Sequence, residues 1–260
     1  MSKDEDFLKE CNEEINKQGK NEPFKKITRQ WIDESIKTKY SYHFTWLGRP
    51  IIQYPQDIIE TQQLIWKIQP DLIIETGIAR GGSLIFYASI LELISQCGGP
   101  DNSKVLGIDI DIRKKNKEEI LRHPMSRRIE MIEGSSTDKD VIRQVKDKAQ
   151  RAKKVMVCLD SNHTHDHVLS ELRLYAPFVS INSYLIVFDT VVEDLPNELI
   201  KNRPWSKGNN PKTAVFKFLN ELKDKDIYAL DGKQLNLEID KSIENKLMIT
   251  VAPSGYLKRR

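Results

Sequence analysis

The chain has 260 residues, of which 39% are hydrophobic and 30% charged, and its formal net charge is +3 at pH 7. That is enough for one large domain with a buried core, and it excludes a disordered or fibrous protein. So small a charge, with no basic stripe interleaved with aromatics, predicts no nucleic-acid partner. Cys11, Cys97 and Cys158 are odd in number and far apart, which is neither a disulfide framework nor a zinc pattern and fits a reducing compartment. The first ten residues are charged where a signal peptide is apolar. The longest apolar runs, 84–93 and 184–188, fall short of the roughly 20 residues that span a bilayer. A cytoplasmic protein with no transmembrane segment is expected. The basic run at 258–260 reads as a solvated tail.

Residues 1 to about 40 are highly charged, with apolar residues at helical spacing (Phe7, Leu8, Cys11, Ile15), and predict amphipathic helices outside the core. Residues 40–55 are rich in aromatics and hold Gly48 and two prolines, which predicts an ordered, non-helical connector. A helix is expected over 57–68. Then β-branched runs at 72–75, 105–109, 129–132, 155–160 and 184–189 alternate with helical segments at 82–95, 114–121, 138–148 and 165–176. This alternation predicts a mostly parallel twisted sheet with helices on both faces, its strands buried on both sides. A Pro/Gly/Asn-rich loop at 203–211 precedes a helix at 213–222, and late strands are expected near 227–230 and 246–251. The division is an N-terminal extension with connector, 1–56, and a Rossmann-like domain, 57–260.

The first core strand runs into Glu75-Thr76-Gly77-Ile78-Ala79-Arg80-Gly81-Gly82-Ser83 and then an apolar helix. Glycines let the main chain turn sharply against a ligand, and the helix start offers free N–H groups. The pattern is E-x-G-x-x-x-G. An acid here repels a pyrophosphate but suits the ammonium of a methionine, so Glu75, Gly77, Gly81 and Ser83 point to S-adenosylmethionine (SAM) rather than a dinucleotide. Asp109 ends the second strand, where an acid takes ribose hydroxyls, with Asp111 as the weaker choice. Gly134, Ser135 and Ser136 end the third, a small-residue turn suited to an adenine edge.

Asp160 and Asp189 close the fourth and fifth strands, where two acids can share a hard cation such as Mg²⁺ that lowers the pKa of substrate hydroxyls. Asp160 also borders the cofactor end of the site. The run His163-Thr164-His165-Asp166-His167 is one residue short of the H-x-H-x-D-H zinc signature, and the strand order does not suit that hydrolase fold. His165 and His167 read equally well as solvated residues behind a helix cap. His163, three residues past Asp160, is the candidate general base, with Asp160 beside it as catalytic partner.

With these residues in place, the chain resembles the cephalosporin hydroxylase/rhamnosyl O-methyltransferase family, a branch of the class I SAM-dependent methyltransferases. The resemblance runs from about Tyr40 to the C-terminus and adds Leu159-Asp160-Ser161-Asn162-His163, Val187-Phe188-Asp189-Thr190, the 207–211 loop and Pro253-Ser254-Gly255-Tyr256-Leu257 to the motifs above. It implies that Glu75, Gly77 and Ser83 hold the methionine end of SAM, Asp109 the ribose, and Ser135 and Ser136 the adenine. Asp160 and Asp189 would be metal ligands. Metal-binding relatives have two adjacent polar or acidic ligands on the fifth strand, whereas this chain has Phe188, leaving Thr190, Glu193 or Asp194 to complete the set. Family members also assemble, so a homo-oligomer is expected.

The reading is a Mg²⁺-assisted O-methyltransferase acting on a hydroxyl of a sugar, glycan, glycolipid or related small natural product. Trp205 and Tyr42 are candidates to stack on sugar faces. One alternative is a metal-dependent hydroxylase with iron at Asp160 and His163/His165. Another is a non-catalytic SAM-fold assembly module whose N-terminal helices are the interaction surface.

Overall fold

A computed structural model describes residues 3–260; Met1 and Ser2, at the head of the expected extension, lie outside it. Two helices come first, α1 (Lys3–Gln18) and α2 (Glu22–Lys37). Asn21 starts α2 by accepting from the Phe24 amide, with Pro23 in the first turn. Gln18 ties α1 to the late part of the chain through the Asn245 and Lys246 carbonyls. The expected non-helical connector instead opens with a 3₁₀ turn, Tyr40–His43, before an antiparallel hairpin of β1 (Phe44–Trp46) and β2 (Arg49–Ile51). Its aromatics decide its shape: Tyr40 packs edge-to-face on Trp31, Phe44 and Tyr54 at 5.0–5.7 Å between centroids.

Helix α3 (Pro55–Ile68) leads into the core. There β3 (Leu72–Thr76), α4 (Gly82–Gln96), β4 (Lys104–Asp109), α5 (Lys114–Arg122), β5 (Ile129–Glu133), α6 (Lys139–Ala149), β6 (Val155–Leu159), α7 (His165–Tyr175) and β7 (Tyr184–Val187) follow the predicted alternation. The chain ends with α8 (Pro211–Asp224), β8 (Leu237–Ile239), α9 (Lys241–Leu247) and β9 (Tyr256–Arg259). The sheet order is β5-β4-β3-β6-β7-β9-β8, with β3 to β7 parallel and the last two strands antiparallel.

Successive strand residues face opposite sides and both sides are buried. Ile73, Met156, Cys158 and Ile186 join one apolar layer, and Ile74, Val157, Leu159 and Leu185 the other. The first layer also takes in Ile51 and Tyr54, so the connector is packed into the main core. Truncating any one of these fully buried aliphatic side chains to alanine costs about 2–5 kcal/mol. The order reverses between β3 and β6: the chain steps outward through β4 and β5, then returns to the other side of β3. Ligands of open α/β sheets bind at such a switch, outside the carboxyl ends of the strands.

Three expectations fail near the C-terminus. Residues 227–230 form only an isolated bridge, Tyr228 to Gln234, and 246–251 leave α9 as an irregular segment that packs on Asp57 through Thr250. The true late strands are short and charged, 237–239 and 256–259. Nor is 258–260 a solvated tail, because β9 buries Arg259 to 2% exposure and its guanidinium grips Asp231 and the Val179 carbonyl. Among the described residues no helix is long and apolar enough to cross a membrane.

Candidate functional site

The site begins where β3 gives way to α4. Gly77 has φ +93°, and a Cβ there would lie 2.1 Å from the Asp160 carbonyl oxygen, so the turn touches the end of β6 only because the residue is glycine. Gly81 sits at the α4 N-cap in the left-handed region, φ +80°. Asp109 holds the turn from the neighbouring strand. Its Oδ2 accepts from the Ile78 and Ala79 amides at 2.8 and 3.2 Å, and its Oδ1 from the Asp111 amide at 3.1 Å.

Glu75 is 1% exposed. Its Oε2 accepts from Ser83 at 2.7 Å, while Oε1 is buried without a partner among the described residues, as is Thr76 Oγ1. Burial pushes the Glu75 carboxyl up to about 8, against the opposing pull of the Ser83 hydrogen bond. Orphaned buried acceptors beside a glycine turn fit a cationic donor group, and the methionine ammonium of SAM is one.

A cavity of about 320 Å³ opens over this turn. Gly77, Ser83, Asp160, His163 and Asp189 line it, together with Tyr42, Gln53 and Tyr54 of the connector and with Arg203 and Trp205. Ligand atoms of Asp160, His163 and Asp189 all lie within 4.8 Å of one another. His163 Nε2 is 3.2 Å from Asp189 Oδ2, and Gln53 Nε2 donates to Asp160 Oδ2 at 3.1 Å. Burial, then the nearby Asp189 and Glu75 charges, hold the Asp160 carboxyl well above the usual carboxylate range. Two carboxylates and an imidazole around one point offer mostly oxygen ligands, which suits a hard divalent cation.

Other sequence-predicted residues lie elsewhere. Asp189 adopts φ +55° and turns the chain into a 3₁₀ turn, Thr190–Asp194, in which Thr190 Oγ1 donates to the Pro253 carbonyl at 2.7 Å. Thr190 is fully buried with its hydroxyl turned to Pro253, and the third side chain beside Asp160 and Asp189 is His163. Glu193 accepts from Gly208 N and Asn210 Nδ2 and anchors the 203–211 loop, and Asp194 pairs with Lys212 of α8 at 2.6 Å.

The three histidines after β6 diverge. His165 Nδ1 meets Thr213 Oγ1 at 2.7 Å, and His167 Nε2 lies 3.1–3.3 Å from Ser136, Ser161 and the buried Glu171. Neither a zinc triad nor a pair of histidines beside Asp160 is assembled, and neither ring is simply solvated. Gly134, Ser135 and Ser136 end β5, one strand beyond Asp109. Ser135 bonds Thr137, and the Ser136 carbonyl accepts from Tyr175. Neither they nor Asp109 line the cavity.

Sequence reasoning missed Gln53 and Arg203. Gln53 is a single amide in the run Ile51-Ile52-Gln53-Tyr54, and that isolation was its only signal. Arg203 lies with its guanidinium 5.3 Å from the Trp205 ring centroid, and the Trp205 ring meets that of His163 edge-on at 4.7 Å.

Residues 38–260 match the family model described as Rhamnosyl O-methyltransferase/CmcI. The chain is similar to proteins named rhamnosyl O-methyltransferase from Mycobacterium bovis (strain BCG / Pasteur 1173P2), 29% identical over 83% of this chain and 78% of that one, and from Mycobacterium leprae (strain TN), 28% identical over 83% of each. Among solved structures it is similar to an apo form of CmcI (TM-score 0.55, 16% identity, 84% of this chain and 76% of that one) and to a CmcI–Mg–SAM form (TM-score 0.53, 16% identity, 84% and 77%). At that identity the likeness is one of fold: a Rossmann-like class I methyltransferase sheet with N-terminal helices added.

Proposed function

Because the chain belongs to the rhamnosyl O-methyltransferase/CmcI family, we propose that it is a Mg²⁺-assisted, SAM-dependent O-methyltransferase acting on a hydroxyl of a sugar, glycolipid or related small natural product. The observation that carries this reading is the opening of two things into one cavity: the Gly77–Ser83 turn and the Asp160/His163/Asp189 cluster. Donor and acid–base group then face the same space.

Glu75, Thr76 and Ser83 hold the methionine end, with Glu75 Oε1 supplying the charge that meets the ammonium. Asp109 and the adjacent Ser135 and Ser136 are assigned to ribose and adenine, supported by their place at successive strand ends. Asp160 and Asp189 are the cation ligands. When bound, SAM supplies an electrophilic methyl group, and Mg²⁺ lowers the pKa of the hydroxyl oxygens it touches. His163 is the group assigned to take the acceptor proton, and the Asp189 carboxylate 3.2 Å from its Nε2 stabilises the resulting imidazolium. No covalent intermediate on the protein is needed, so alignment of acceptor oxygen and methyl group carries most of the rate. Trp205 and Tyr42, both lining the cavity, supply flat faces for a sugar ring.

We further place the enzyme in the cytoplasm, supported by the free Cys11, Cys97 and Cys158, and as a homo-oligomer, supported by the exposed Phe7, Leu8 and Ile27 of the first two helices. The hydroxylase reading needs His165 beside His163, and His165 is committed to Thr213.

Calorimetric titration with SAM and with 2-oxoglutarate separates the enzyme classes: SAM alone is expected to bind, and binding of 2-oxoglutarate without SAM would sink the proposal. Methyl transfer to a panel of deoxysugar glycosides, followed by mass gain, tests the acceptor class. EDTA treatment is expected to abolish transfer and added Mg²⁺ to restore it; full activity in EDTA would leave Asp160 and Asp189 acting through hydrogen bonds alone.

A further inference from the structure

The candidate cation set is thin. The two carboxylates assigned to the cation, Asp160 and Asp189, with His163 beside them, are few for an ion that takes about six oxygen ligands, water included. The residue before Asp189 is Phe188, 2% exposed, and it lines a small void together with Gln53, Asp57 and Ser83. Gln53 itself is 6% exposed, and its amide makes one hydrogen bond among the described residues, to Asp160 Oδ2. Oε1 is buried and unpartnered.

The backbone fixes that amide firmly. It lies between the hairpin strand β2 and Pro55, the first residue of α3. The adjacent Tyr54 is pinned by its hydroxyl contact with Ser35 at 2.6 Å and by the rings of Trp31 and Tyr40. A buried amide is costly to leave unpaired, so pairing with Asp160 fixes the orientation of both side chains.

We propose that Gln53 is the positioning residue for the cation at this site: by donating to Asp160 Oδ2 it presents Oδ1 to the ion, and its free Oε1 is an acceptor for a water in the ion's shell. This rests on the reading of Asp160 and Asp189 as cation ligands. Partners of this kind set the orientation of a ligating carboxylate, and their loss weakens metal binding about 10- to 100-fold.

The test is a calorimetric titration of Mn²⁺ into EDTA-stripped protein without SAM, with the melting temperature in metal-free buffer and the SAM Kd measured alongside. Gln53→Leu is expected to weaken Mn²⁺ binding about 10- to 100-fold, with the melting temperature and SAM Kd little changed. Unchanged Mn²⁺ affinity in Gln53→Leu overturns the role of Gln53 while leaving the cation site intact. Absence of Mn²⁺ binding in the wild type overturns the cation reading beneath it. If Gln53→Leu does not fold, Gln53→Asn keeps the amide but shortens its reach. It is expected to show the same weakening, and wild-type affinity in Gln53→Asn overturns the proposal.

Discussion

His163 Nε2 stands 3.2 Å from Asp189 Oδ2, and the edge of the same imidazole meets the Trp205 ring at 4.7 Å between centroids. One contact gives the ring a carboxylate to balance a gained proton. The other restricts how it turns.

Replacing His163 with alanine is expected to lower kcat about 10²- to 10⁴-fold, the usual worth of a positioned base. The SAM Kd should stay within about twofold, because no cofactor-holding group is removed. Transfer of labelled methyl groups and calorimetry report the two quantities separately. A kcat near wild type would move the base elsewhere.

Glu75 gives a proton-linkage prediction. Burial lifts its carboxyl from 4.5 to about 8, so at pH 7 the folded, unliganded protein holds a proton that the unfolded chain has lost. The stability contributed by this group is complete below about pH 4.5 and is lost as the pH climbs through about 8. An ammonium partner needs the ionised form. SAM binding at pH 7 is therefore expected to release close to one proton, seen as a binding enthalpy that changes with the buffer's ionisation enthalpy. Affinity should rise about tenfold per pH unit up to about pH 8. Glu75→Gln should melt at a higher temperature at pH 8 and bind SAM at least about tenfold more weakly.

Gly77→Ala sets a Cβ 2.1 Å from the Asp160 carbonyl oxygen at a φ of +93°. The backbone strain alone is worth about 1–3 kcal/mol, and relief of the clash must push the β3 and β6 ends apart. Denaturant titration should show the lower stability. SAM binding should weaken by more than the stability loss explains, because the turn itself has moved.

Trp205→Ala removes the ring that both Arg203 and His163 lean on. The expected signature is a rise of about tenfold in acceptor KM, near 1.4 kcal/mol, with the SAM Kd unchanged. A change in SAM affinity instead would put Trp205 on the donor side.

Much of this architecture is legible in the sequence because its physics is local. Buried parallel strands must be apolar on both faces, and a chain leaving such a strand toward a ligand needs glycine and an acid, so Glu75, Gly77, Asp109, Asp160 and Asp189 stand out. The direction Thr190 takes depends on the left-handed turn at Asp189, which nothing in Phe188-Asp189-Thr190 announces. Residues 246–251 misled through the β-branched Ile249, Thr250 and Val251, of which the Thr250 hydroxyl and the Val251 amide satisfy Asp57 instead of a strand partner. Strand β9 was hidden by charge: Lys258 and Arg259 look like tail residues until Asp231 is brought beside the guanidinium. Gln53 and Arg203 reach the site from segments far along the chain, where spacing carries no information.

The Gly82 position shows how tightly the hairpin is bound to the turn: a Cβ there would lie 2.1 Å from the Pro50 carbonyl oxygen. Part of the cavity lining is therefore inherited with the connector, while another part comes with the 190–205 segment. Recombining relatives to change which acceptor is methylated would require exchanging both parts together. A chimera that carries only one should fold around a mismatched opening, keeping its donor while losing its recipient.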